Sequence, residues 1–141
     1  MALIIDAGAL YAQADADEPR HGAVAAVLAE EREAIITSEL AVAEADYLIL
    51  DRLGVDVEVA FLEDLESATF QVECLTREEI RIGRRLIEQY RGLRIGLADA
   101  SLILLADRYR TARLLTFDER AFRAIPPLAG GTFTILPADR D

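Results

Sequence analysis

The chain has 141 residues, 52% of them hydrophobic, and a formal net charge of −11 from 15 basic and 26 acidic side chains. This is enough apolar sequence to fill a core, and the wrong charge balance for the usual footprint of a nucleic-acid binder. One cysteine and one histidine exclude an internal disulfide and a Cys/His zinc site. Every basic residue is Arg, so mechanisms that need a lysine are excluded as well. The negative charge suits a basic partner, bound cations or solubility alone. No apolar run is long enough to cross a bilayer, and the first residues lack the pattern of a signal peptide. The expectation is a cytoplasmic protein without a membrane partner.

In chain order, Ala2–Ile5 reads as an apolar strand, followed by a small-residue turn, Asp6–Ala9, and a short helix near Leu10–Ala14. Asp15–Pro19 reads as a loop, with Asp17 as a helix cap and Pro19 in the first turn of a helix that runs to about Glu31. His21, in that polar helix start, is expected at the surface. Ala34–Thr37 is a second strand. A long helix starts at Thr37 or Ser38 and ends near Gly54, and another covers Val55–Ser67.

Thr69–Leu75 alternates apolar and polar residues and reads as a third strand, with Cys74 a small buried core residue. Thr76, with Glu79 three residues on, forms a capping box for a helix to about Arg91. Gly92–Leu97 is a loop before a helix opened by Asp99. Leu114–Phe117 is a compact strand, Asp118–Arg123 a short helix ended by Pro126-Pro127, and Thr132–Leu136 a last strand after Gly130-Gly131. No linker or repeat interrupts the chain, so residues 1–141 are expected to form a single domain. Strands alternating with helices imply a mainly parallel sheet.

Asp6 and Asp118 each follow a strand directly, so in a parallel sheet they share the edge where open α/β sheets bind ligands. Each is equally suited to cap the helix that follows it. Asp99 likewise reads as a cap or as part of a site. Glu44 lies in Leu40–Leu50, a helix apolar nearly all round, where the helical wheel sets it between Leu40, Tyr47 and Leu48 and away from Asp46. Glu39 falls with Asp46 on the expected wet side. A carboxylate among leucines needs a metal or an Arg, unless it sits half-exposed at a helix seam. Crowded carboxylates repel one another, and hard oxygen ligands suit Mg²⁺ or Mn²⁺. Such a site suits phosphodiester hydrolysis.

The set Ile4–Leu10, Ser38–Glu44, Gly96–Ala100 and Leu115–Asp118 with Phe122 resembles PIN-domain proteins, and within them the VapC toxins of bacterial toxin–antitoxin pairs. The resemblance covers essentially the whole chain. It implies an α/β/α sandwich with about four to five strands, a Mg²⁺-dependent ribonuclease, a homodimer and a cognate VapB-type antitoxin. The implied catalytic quartet is Asp6, Glu44, Asp99 and Asp118, with Asp6, Asp99 and Asp118 as metal ligands. Relatives often carry Ser or Thr two residues after the first Asp. Gly8 stands there in this chain, leaving Thr116 or Ser101 as substitute hydroxyls.

The Arg-rich stretch Arg77–Arg85 offers Arg81, Arg84 and Arg85 as RNA contacts, with Arg91 and Arg94 beyond it. The same arginines are spaced to pair with Glu78 and Glu88 instead. Tyr11, Tyr47, Tyr90 and Tyr109 read as core or dimer packing. Receiver-type phosphoacceptors and haloacid-dehalogenase-like phosphatases also place Asp at strand ends, but both normally use a lysine. The remaining rival is a PIN fold kept as a binding module with a weakened site.

Overall fold

The computed structural model describes residues 1–140. Five short strands form one parallel sheet: β1 (Leu3–Ile5), β2 (Ile35–Ser38), β3 (Gln71–Glu73), β4 (Arg113–Leu115) and β5 (Thr134–Leu136). Their order across the sheet is β3-β2-β1-β4-β5. The central strand pairs on both sides, Leu3 with Ile35 and with Arg113. Leu3, Ile4, Ile5, Ile36, Leu114 and Leu115 are all buried, as a strand covered on both faces requires. From β1 the chain steps outward one way through β2 and β3. It then returns to place β4 and β5 on the other side. The order therefore reverses between β1 and β4, and all carboxyl ends share one edge.

Seven helices flank the sheet: α1 (Ala7–Ala14), α2 (His21–Glu30), α3 (Glu39–Leu53), α4 (Val55–Glu66), α5 (Arg77–Gln89), α6 (Leu97–Arg108) and α7 (Glu119–Ala124). The capping residues set their ends. The Ser38 hydroxyl accepts from the Ala41 N–H at 3.0 Å to start α3. Gly54, at φ 89°, ends α3 in backbone space that other residues enter at a cost. The expected capping box of α5 is present, with Thr76 and Glu79 bonded reciprocally. At Gly83 a Cβ would lie 3.3 Å from Leu104, so the glycine allows α5 to pack closely on α6.

Several expected boundaries move. Helix α1 begins at Ala7, because Asp6 caps it directly. Residues 16–20 form turns, so Pro19 precedes α2 and Asp17 does not cap it; Arg20 occupies the cap position. His21 is not a free surface residue: its Nδ1–H donates to the Ala12 carbonyl at 2.8 Å and ties α2 to α1. The third strand shrinks to Gln71–Glu73, and Val72 is exposed, as befits an edge strand. Cys74 lies past its end and is exposed, not buried. A 3₁₀ turn, Arg91–Leu93, occupies part of the expected loop. Helix α6 starts at Leu97, two residues before Asp99, with Gly96 as its cap. The fourth strand runs Arg113–Leu115; the Thr116 N–H still donates to the Leu136 carbonyl of β5 at 3.1 Å, while its side chain bonds Asp6 and the Asp118 N–H.

Ion pairs hold the periphery. The Arg113 guanidinium donates to both Glu31 oxygens and to the Met1 carbonyl, and the Glu31 side chain is only 5% exposed. Arg108 joins Glu73, Glu79 and the Cys74 carbonyl, fastening α6 to β3 and α5. No helix among the described residues is long and apolar enough to cross a membrane.

Candidate active site

Asp6 leaves the carboxyl end of β1 and is buried. Its Oδ1 accepts the Ala9 N–H at 2.8 Å, and its Oδ2 accepts the Thr116 hydroxyl. Both readings of Asp6 are therefore compatible: it caps α1 while its carboxylate stands at the sheet edge. Burial is the main reason its carboxyl is pushed up to about 6; the Thr116 and Ala9 hydrogen bonds oppose that rise, and the charges of Asp99 and Asp118 add to it. Asp118, past β4, does the same double duty, its Oδ1 accepting the Ala121 N–H at 3.2 Å.

Asp99 sits in the first turn of α6 and makes no cap. Its carboxyl is also pushed up to about 6, first by burial, then by Asp118 and Glu44, with Arg120 acting against the rise. The four acids of the expected quartet thus feel one another's charge through Asp99 and Asp6. Sheet topology explains the meeting of Asp6 and Asp118, whose strands are neighbours at the reversal of strand order. Helix α6 packs over β1 and β2 and carries Asp99 to the same edge.

Glu44 corrects the helical-wheel expectation. It is exposed rather than set among buried leucines, and Leu40 and Tyr47 beside it are exposed too. Helices α1 and α4 both pack on α3, and of the two residues expected on its wet side Glu39 is exposed while Asp46 is half-buried. Asp46 is half-buried, and its Oδ1 has no hydrogen-bond partner among the described residues. The neighbouring Asp46 carboxyl holds that of Glu58 on α4 above the usual range.

Two hydroxyl bridges fix the frame. Thr116 has one proton, and it goes to Asp6; its oxygen accepts the Asp118 N–H at 3.0 Å. One side chain therefore ties the first acid to the last. The second bridge runs between helices. The Ser101 hydroxyl donates to the Ala98 carbonyl at 2.5 Å, so across the buried 2.7 Å contact Ser38 must be the donor to Ser101. This chain links the start of α3, which bears Glu44, to the start of α6, which bears Asp99. A Cβ at Gly8 would stand 3.7 Å from Asp6 Oδ1, an ordinary contact, so space exists there for a hydroxyl that this chain lacks.

The donor set is all oxygen and carries surplus negative charge, the chemistry of a hard divalent cation. Among the described residues no three acids converge tightly enough on one point to form a closed cage. Mg²⁺ still fits such a set, because it commonly keeps several waters and takes only one or two carboxylates.

Of the expected RNA contacts, Arg81 pairs with Glu78, and Arg84 with Glu88 at 2.8 Å. Arg85 is exposed and makes no ion pair among the described residues. The cation felt by Asp99 is Arg120, which donates to the Leu93 carbonyl at 3.0 Å. Its place two residues after Asp118 was a signal available in the sequence. Arg20 lies with its guanidinium 4.6 Å from the Phe117 ring centroid, a contact between distant segments that no local pattern announces.

A five-stranded parallel sheet with acids gathered where strand order reverses defines an α/β protein with a carboxylate site. The chain belongs to the PIN-domain family, whose model matches residues 3–126. It is 43% identical over 135 residues to Ribonuclease VapC26 of Mycobacterium tuberculosis, covering 96% of this chain and all of that protein. Its fold is similar to the crystal structure of M. tuberculosis VapC20, a toxin that cleaves the sarcin–ricin loop. That match has TM-score 0.77 and 19% identity, over 83% of this chain and 90% of the other. It is also similar to a chain of the Rickettsia felis VapBC2 complex bound to a promoter DNA fragment, with TM-score 0.69, 18% identity and 96% and 98% coverage.

Proposed function

We propose that the protein is a metal-dependent endoribonuclease, the toxin of a toxin–antitoxin pair, acting as one domain. The observation that carries this reading is that Asp6 and Asp99 are pushed up to about 6, chiefly by burial, and that Asp6 feels the charges of Asp99 and Asp118 while Asp99 feels those of Asp118 and Glu44. The 43% identity to a protein named as a ribonuclease supports it.

Asp6, Asp99 and Asp118 would hold Mg²⁺, or Mn²⁺ in its place. When bound, the ion would polarise a phosphate oxygen and lower the pKa of a bound water. The chain's own part is positional and electrostatic. Thr116 fixes the Asp6 carboxylate through its only proton, so that Asp6 does not need to reorganise. Burial of Asp6 and Asp99 raises the cost of leaving their charge unneutralised, which favours a cation over water. On this reading Glu44, exposed on α3 yet felt by Asp99, would accept a proton from an attacking water.

The reading extends to partners. Tyr47 (68% exposed), Leu50, Val55, Val59 and Leu62 leave an uncovered apolar face on α3 and α4. A second copy of the chain and an antitoxin of VapB type would cover such surface. An antitoxin Arg, reaching two carboxylate oxygens at once, would compete with the metal in the acid site.

The deciding experiment is cleavage of RNA by the pure protein with and without Mg²⁺, beside an Asp99→Asn control. Cleavage that needs the metal and falls by orders of magnitude in Asp99→Asn is expected. Metal-independent cleavage, or equal activity in the variant, would overturn the mechanism.

A further inference from the structure

We propose that a groove beside the acids is a phosphate subsite for single-stranded RNA, built by Arg20 and Arg52; it rests on the ribonuclease reading above. The groove encloses about 190 Å³ and is lined by Gly8, Tyr11, Glu18, Arg20, Leu48 and Arg52 among others. The Arg20 guanidinium lies 4.6 Å from the Phe117 ring centroid, and that of Arg52 lies 5.4 Å from the Tyr11 ring. Among the described residues these are the two cation–π contacts of the molecule, and both belong to this one groove. Neither Arg makes an ion pair there, whereas Arg81, Arg84, Arg108, Arg113 and Arg123 are all held by carboxylates. A guanidinium stacked on a ring keeps its fork of N–H donors in a fixed plane, the geometry that grips a phosphate at little entropic cost.

The groove is joined to the acid site twice. Phe117, beneath Arg20, stands between Thr116 and Asp118 in the chain. Gly8, on the groove wall, has its open Cβ position 3.7 Å from Asp6 Oδ1. A strand whose scissile phosphate meets Asp6, Asp99 and Asp118 would meet at its next phosphates two guanidinium groups that no ion pair holds, that of Arg52 being also hydrogen-bonded to Tyr11. Two groups oppose the anion: the Glu18 carboxylate, which accepts the Arg20 backbone N–H at 3.3 Å and lines the groove, and the Asp15 carboxylate, which accepts the Tyr11 hydroxyl at 2.8 Å and keeps its charge. The two guanidinium groups offset these two carboxylates, so in a protein of net charge −11 the groove repels a polyanion less than the rest of the surface does.

The test is equilibrium binding of a labelled single-stranded RNA over a series of salt concentrations, with Ca²⁺ present to neutralise the acids. Arg20→Gln, Arg52→Gln and Arg110→Gln each remove one charge, and Arg110 is exposed on the opposite edge, before β4. The Arg20 side chain makes no helix-cap hydrogen bond, so its loss leaves α2 intact. Arg20→Gln and Arg52→Gln should each weaken binding about tenfold and lower the salt slope by about 0.7, with Arg110→Gln near wild type. Arg20→Lys should recover only part of the loss, and Glu18→Gln should tighten binding. If all three Gln variants bind alike while wild type still cleaves RNA, the subsite is wrong and the ribonuclease reading stands. If they bind RNA normally but lose an antitoxin, the groove belongs to a protein partner and the proposal fails. If wild type neither binds nor cleaves RNA, both readings fall together.

Discussion

Asp99 can be tested in the protein without metal. Its folded carboxyl lies near 6, above the ordinary value of 3.8, so between those limits the folded state holds a proton that the unfolded state has released. Stability from this group is therefore full at low pH and lost as pH rises through about 6. Asp99→Asn should raise the unfolding free energy at pH 7.5 by on the order of 1 kcal/mol after discounting for partial exposure, and the gain should vanish below pH 4. An unchanged difference from pH 4 to 8 would remove repulsion as its cause. Thr116 gives the complementary test, since its hydroxyl serves Asp6 and Asp118 at once. Thr116→Val should weaken metal binding roughly tenfold to a hundredfold, and Thr116→Ser should restore most of it. Titration calorimetry with Mn²⁺ reads both; equal affinity in the Val variant would show the bridge to be dispensable. The Asp residues were legible because each follows a strand or opens a helix. Glu44 was legible as a site candidate but its exposure was not, because a helical wheel shows which residues share a face and not which face a neighbouring helix covers.

The helices and strands obey their local signals in proportion to how local those signals are. The Thr76–Glu79 capping box, the Ser38 cap and the Gly54 stop all lie within one turn of the boundary they set, and all three are found. The strand ends shifted because the edge of a sheet depends on partners far away in sequence. The Thr116 side chain at the end of β4 bonds Asp6, 110 residues distant. The pair of Glu31 and Arg113 is of this second kind: it anchors the chain after α2 to β4, and the Arg113 guanidinium holds the Glu31 carboxyl below the usual range. Arg113→Met would leave Glu31 buried without a partner, and should cost about 3 kcal/mol at pH 7 by chemical denaturation. Adding Glu31→Met should return much of that loss. Because the Glu31 pKa is lowered, the pair's contribution is present above the ordinary carboxylate range and is lost as pH falls through it. A single Arg113→Met variant as stable as wild type would mean that water enters freely beside Glu31.

At the scale of the whole molecule, Mg²⁺ or Mn²⁺ should raise the melting temperature, since a ligand of the folded state alone stabilises it by mass action. The rise should be clear at pH 7.5 and fade below about pH 6, where Asp6 and Asp99 take up protons. A thermal shift that is equal at pH 5 and pH 7.5 would place the ion elsewhere. The strand order adds a consequence in time. Residue Leu3 of the central strand pairs with Arg113, so the middle of the sheet waits for a segment about 110 positions later in the chain. Contacts of such long sequence separation form late and slowly. A ribosome translating this chain therefore carries Asp6 and Glu44 well before Asp99 and Asp118 are available to join them. On the ribonuclease reading, the nascent protein would stay harmless to the RNA around it until Asp118 has been made and has joined the other acids, and a basic partner made nearby would meet the acids as they first assemble.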